Sequence, residues 1–254
     1  MYLEELTWLN AEKFFAKEPV AVLPVGSIRQ HGPGCPLGAD HVVPAELVKM
    51  LDADNRNDVL VLPPVPYGLA GSSAEMCGTI DVTYETLYQY ISSIVNSLMK
   101  QGIKKFLFHN GSEENEALLE RVSLELSQKG GMGVVMNWLN VISDMKSDWS
   151  GAHGGAKEIA AIMYLRPEWQ VDKEFTAAPN AMIPGLRFVD SSTVVFQDAK
   201  IKWARPVTAV SPSGYFKGPD YELSRANDKW GKRMCETVTI FTGDLIAKMK
   251  KIEL

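Results

Sequence analysis

The stretch VAVLPVGSIRQHGPGCPLGAD, Val20–Asp40, opens with a short apolar run that stops at Gly26 and continues as a polar, glycine-rich loop. Val20–Val25 therefore reads as a strand buried on both faces. Outward from it the pattern alternates. Pro44–Leu51 has helical spacing and begins with a proline, which a first helical turn tolerates. Val59–Leu62 reads as a second strand, stopped by Pro63 and Pro64. Thr83 is placed to cap a helix with Leu87, Ile91, Ile94, Val95 and Leu98 on one face and Gly102 as its stop. Lys105–His109 is a third strand, Glu113–Gln128 a helix, Val134–Leu139 a fourth strand, and Ala156–Tyr164 a helix closed by Pro167.

This order of strands and helices predicts an α/β fold, three-layer α-β-α, around a mostly parallel central sheet. Asp172–Val210 reads as a strand or hairpin region with long loops. Glu222–Lys250 reads as helical, with a weak point at Gly231 and a break near Gly243. No repeat or linker divides the chain, so residues 1–254 are expected to form one domain. Hydrophobic residues make up 46% of the chain and the net charge is −5. The negative balance argues against a nucleic-acid surface. The absence of a long apolar run argues against a membrane span. The acidic start carries no secretory pattern, and three scattered cysteines suit a reducing compartment, so the cytoplasm is the expected location.

Four histidines are present: His31, His41, His109 and His153. In open α/β sheets the ligand crevice lies beyond the carboxyl ends of the strands. The loops after the first and third strands should meet there, bringing His31, Asp40 and Glu114 together as a site for zinc, manganese or iron. Each residue also has a plainer use: Asp40 as a helix cap, Glu114 as a first-turn carboxylate, a loop histidine as a hydrogen-bonded surface group. His109, at the end of an apolar strand, is expected to be a satisfied core histidine, and His41 to point away from the crevice.

Five segments, in order, resemble the creatininase (creatinine amidohydrolase) family: VLPVGSIRQHGPGCPLGAD (Val22–Asp40), PYGLAGSSAEMCGTI (Pro66–Ile80), FHNGSEEN (Phe108–Asn115), WSGAHGGAKE (Trp149–Glu158) and SGYFKGPDYELSRANDKWG near the C-terminus. The resemblance implies a metal-dependent hydrolase of C–N bonds with a two-metal site. His31, Asp40 and Glu114 fall on ligand positions, with Asp40 on the one that bridges both metals. Arg29 stands where the family has a glutamate ligand and Ser112 where it has a histidine; Gly34 replaces a further motif histidine. A guanidinium stays protonated and cannot bind a cation, so Arg29 is expected to stand in for one metal electrostatically. His153 is implied as a proton-transfer group, Glu158 as a carboxylate that orients the site, and Trp149, Ser112 and Tyr67 as substrate contacts. Ala152 departs from the family pattern beside His153, and Ala156 replaces an acidic residue.

The expectation is thus a hydrolase of a C–N bond in a small cyclic amide, formamide or related amide, using one divalent metal, zinc first, with manganese or iron as alternatives. The rival is a catalytically inactive small-molecule binding protein; an isomerase or lyase using the same crevice is a third reading. The resemblance also implies a homo-oligomer, a hexamer.

Overall fold

The computed structural model describes residues 1–51, 58–149, 153–176, 179–216 and 223–254. The elements run α1 (Trp8–Phe15), β1 (Val20–Val25), α2 (Ala39–Lys49), β2 (Val59–Val61), α3 (Tyr84–Met99), β3 (Lys105–Asn110), α4 (Glu116–Gln128), β4 (Met132–Asn137), α5 (Trp138–Met145), α6 (Ala156–Leu165), β5 (Arg187–Phe188), β6 (Thr193–Phe196), β7 (Ala199–Lys202) and α7 (Asp228–Lys250). The first four strands form one parallel sheet in the order β2-β1-β3-β4. Every residue of β1 is buried, as its unbroken apolar run requires.

Side chains alternate across the sheet. Val20 and Val22 of β1 join a core built with α2, α6 and α7, while Ala21, Leu23 and Val25 join one built with α1, α3 and α4. The result is a three-layer α/β/α arrangement. The chain adds β2 on one side of β1 and β3 on the other, so the crevice beyond the carboxyl ends of β1 and β3 is the switch point where such sheets place ligands. The irregular region carries a separate three-stranded antiparallel sheet, β5-β6-β7.

Three local expectations are corrected. α2 starts at Ala39, so Pro44 lies inside it and Asp40 in its first turn. Asp40 does not act as a cap; its carboxylate turns to Arg29 and His31. The fourth strand ends at Asn137, whose side chain accepts from the Leu139 amide and starts α5, an element the apolar run had concealed. α7 is unbroken from Asp228 to Lys250 through both glycines. At Gly231 a β-carbon would collide with the Ala160 carbonyl, so the glycine serves close packing of α7 on α6.

Candidate active site

Three loops meet at the switch point. The first leaves β1 and carries Arg29 and His31; the second leaves β3 and carries Glu114; the third enters α6 and carries His153. Asn115 ties the sheet end together, with its side-chain oxygen accepting from Leu69 N at 2.9 Å and its Nδ2 donating to Gly26 O at 3.0 Å. Gly154 has φ +69° and lies against the His31 carbonyl, where a side chain would clash. That close approach brings His153 over His31, with ring centroids 4.3 Å apart.

Arg29 is the hub. Its Nε donates to Asp40 Oδ2 at 2.6 Å, its Nη1 to Glu114 Oε1 at 3.0 Å, and its Nη2 reaches His153 Nδ1 at 3.4 Å. Arg29 is 8% exposed and Asp40 1%. Glu114 Oε1 also accepts from the Ser72 hydroxyl at 2.7 Å. Burial alone would raise the Asp40 pKa, but Arg29 and His31 outweigh it and hold the carboxyl well below the ordinary range. Burial opposes the Arg29 charge in the same way, and Asp40 and Glu114 overcome it.

The hydrogen bonds place a proton on Nε2 of His153 and on Nδ1 of His31. His153 Nε2 lies 2.6 Å from Gln30 O, a pure acceptor, so Nε2 carries the proton. Burial, Arg29 and His31 push its pKa well below the usual histidine value, so the ring is neutral and Nδ1 is a lone pair. His153 must therefore receive a proton before it can give one. His31 differs: Nδ1 faces Arg29 O and Nε2 faces Asp40 Oδ1, each at 2.9 Å. Both neighbours are acceptors, so Nε2 needs either a proton or a cation. Burial lowers the His31 pKa, and the attraction and hydrogen bond of Asp40 raise it above the ordinary value on balance.

This donor chemistry is compatible with a divalent metal ion. The Nδ1 bond to a carbonyl is the usual outer-shell support for a histidine ligand. Glu158 Oε1 is 3.7 Å from His31 Nε2, and ligand atoms of His31, His153 and Glu158 lie within 4.8 Å of one another. Glu158 also accepts from the Gly154 amide, which anchors the loop of His153. Its pKa is raised, by burial first and by Asp40.

Of the residues expected from sequence, Arg29, His31, Asp40, Glu114, His153 and Glu158 come together. Glu114 is joined to the others through Arg29, and the mutually close ligand atoms are those of His31, His153 and Glu158, a set without the expected Asp40 and Glu114. Trp149 does not line the cavity above this cluster; it packs in the core. Ser112 is fully buried with its hydroxyl unpartnered among the described residues, and Tyr67 is half exposed away from that cavity. His109 is buried as expected but not satisfied, since neither ring nitrogen has a partner among the described residues. His41 does turn away, toward Lys49 and Arg166. Gly34 sits against the Asp172 carbonyl, which leaves no room for the motif histidine. Burial and the fields of Glu158 and Asp40 push the Cys35 thiol up, which disfavours a thiolate. Ala152 lies outside the described residues, as do 217–222 of the fifth segment. Sequence reasoning missed Ser72, Gln30 and Asn115, whose roles depend on contacts between loops.

Residues 4–246 match the family model described as "Creatininase: Creatinine amidohydrolase". The chain belongs to the creatininase family. Among its relatives is the creatinine amidohydrolase of Pseudomonas putida, 26% identical over 191 residues, spanning 66% of this chain and 73% of that protein. A mycofactocin precursor peptide peptidase of Mycolicibacterium smegmatis is 28% identical over 174 residues, 66% of each chain. A crystal structure of creatinine amidohydrolase superposes with TM-score 0.74 at 24% identity, covering 99% of this chain and 98% of that one. Solved creatininases of the same TM-score include a manganese form and a zinc–zinc form. The family is metal-dependent, and family membership agrees with the three-layer fold. No helix among the described residues is long and apolar enough to cross a membrane.

Proposed function

We propose that this family member hydrolyses a C–N bond in a small cyclic amide, formamide or related amide, with one divalent ion in place of two. The observation that carries the reading is the Arg29 guanidinium joining Asp40 and Glu114, a fixed positive charge between two carboxylates. One ion would then be held by His31 and Asp40. Its third protein ligand would be Glu114 in the arrangement the family resemblance implies, or Glu158, whose Oε1 lies 3.7 Å from His31 Nε2. Zinc is the first choice, with manganese or iron as alternatives.

A divalent ion held there supplies Lewis acidity and lowers the pKa of water toward neutrality. The chain's own residues do the rest. His153, which lines the cavity with its neutral Nδ1 beside Arg29 Nη2, takes a proton there and returns it to the departing nitrogen. Arg29, which also lines the cavity, offers its charge to a carbonyl oxygen that becomes negative. Glu158 holds the His153 loop through the Gly154 amide. Oligomeric assembly as a hexamer and a cytoplasmic location belong to the same proposal.

Elemental analysis of protein purified without chelator is expected to give about one ion per chain. Hydrolysis within a panel of cyclic amides and formamides should stop on chelation and return with zinc or manganese. Glu114→Gln and Glu158→Gln tell the two third ligands apart, since only the true ligand should weaken metal retention, by about 10-fold or more. A second reading, a binding protein without turnover, draws on the same Arg29 contacts, because they neutralise the carboxylates with no metal at all. Protein that folds metal-free, takes up no added ion and hydrolyses nothing would favour that reading.

A further inference from the structure

Arg29 and His153 form part of the lining of a cavity of about 800 Å³. Its wall holds another cationic group that the hydrolytic reading does not use. Arg205 lies just after β7, in a segment tied to the chain before β6: Trp203 N donates to Ser192 O at 2.8 Å and Arg205 N to Ser191 O at 3.2 Å. The guanidinium carbon lies 4.4 Å from the centroid of the Trp203 ring and 4.7 Å from that of Phe188. Stacking fixes the plane of the group but leaves the in-plane N–H donors unused.

Among the described residues those donors have no partner: all three Arg205 nitrogens are hidden from solvent, and none makes a hydrogen bond there. A guanidinium that has lost water without gaining an acceptor is unfavourable, so the group calls for an acceptor that the described chain does not supply. Asp190 acts on it only through its field, and Asp190 Oδ1 is already used by the amide and hydroxyl of Ser192. A ligand reaching these hidden donors would have to displace a covering ring, and Trp203, 46% exposed, is one such ring.

The planar fork suits a carboxylate or a phosphate. The rest of the lining chooses between them. Arg29, Lys157 and Lys202 accompany Arg205, and Glu113, Glu114, Glu116 and Asp190 balance them. A wall of even charge accepts one extra negative charge more readily than two. We infer that Arg205, clasped between Trp203 and Phe188, anchors a carboxylate of the substrate, so that the substrate class is an amide bearing a free carboxylate. The amide half of this statement rests on the proposed hydrolytic function; the carboxylate anchor is a matter of binding and is tested as such.

Isothermal titration of the full chain with N-acetylglycine, N-acetylglycinamide and inorganic phosphate separates the possibilities. Wild type is expected to bind N-acetylglycine about 10-fold or more tightly than the neutral amide and more tightly than phosphate. Arg205→Gln should erase that preference while leaving the amide affinity unchanged, and Arg205→Lys should retain part of it. Near-UV circular dichroism checks that the variants are folded, and Arg205→Lys carries the test if Arg205→Gln is not. A retained carboxylate preference in a protein that hydrolyses nothing would sink the hydrolytic reading and leave the anchor standing. Equal affinities in wild type, no saturable binding of N-acetylglycine in the millimolar range, tighter binding of phosphate, or a preference that survives in Arg205→Gln would overturn the anchor. So would a change of oligomeric mass in Arg205→Gln with probe binding unaltered, which would give Arg205 to an interface between copies.

Discussion

At the scale of the residue, one substitution reorganises the site. In the proposed reading the Arg29 charge, paired with Asp40 at 2.6 Å, takes the place of a cation. That a guanidinium cannot itself ligate a metal was legible in the sequence. The proton positions were not, since His153 is set by the Gln30 carbonyl and His31 by the Arg29 carbonyl, neither of which a motif displays. Restoring both family ligands tests the substitution. Arg29→Glu with Ser112→His removes the buried positive charge and adds a carboxylate and an imidazole near Asp40. Metal per chain is expected to rise from about one toward two. The double variant should also depend on metal for thermal stability, because removing one partner of a buried ion pair costs on the order of 3–5 kcal/mol unless another cation takes its place. Unchanged metal content in a folded double variant under metal excess would remove Arg29 from the role of substitute ion.

Among the elements, the strands were read most easily. β1 and β3 are buried through nearly their whole length, so apolar runs mark them directly. Thr83 and Gly102 bounded α3 as expected, with the Thr83 hydroxyl accepting from Thr86 N. The misreadings arose where tertiary contacts override local preference. Pro44 inside α2 removes a donor that would have bonded the Asp40 carbonyl, and Gly111 packs tightly against that carbonyl. Gly231 looked like a weakness of α7, yet it is the point where the helix meets Ala160 of α6. Gly231→Ala should therefore act against its own propensity. Alanine favours an isolated helix by about 1 kcal/mol. Here its β-carbon forces the α6–α7 contact apart, and overpacking of this kind costs about 1–3 kcal/mol. Urea denaturation should show a net loss of stability; a gain would mean that the two helices separate without cost.

For the molecule as a whole, His109 is a polar fault in the core of the sheet. His109 stands on β3 beside Pro24 and Met136, fully buried, with both ring nitrogens unpaired among the described residues. Burial pushes its pKa down to about 4. An unfolded chain would titrate it near the ordinary value of about 6.5. Between those two values the unfolded state holds a proton that the folded state does not, so stability rises with pH across the window and falls as the solution is acidified through it. The loss from pH 6.5 to pH 4 is on the order of 3 kcal/mol for this group alone. His153 is pushed the same way and adds to the slope. In the metal-free protein His31 works in the opposite sense. Its folded pKa is raised, so its contribution is complete below the ordinary value and is lost as pH rises through the folded one. Replacing His109 isolates its share. His109→Phe keeps an aromatic ring in the sheet core and deletes both unpaired nitrogens. Urea midpoints measured from pH 4 to pH 7 should be flatter for the variant than for wild type by up to one proton's slope, about 1.4 kcal/mol per pH unit. The two curves should also separate most at the acid end. Parallel curves would mean that His109 finds a partner or a proton inside the fold, and that the acid sensitivity lies with the active-site histidine instead.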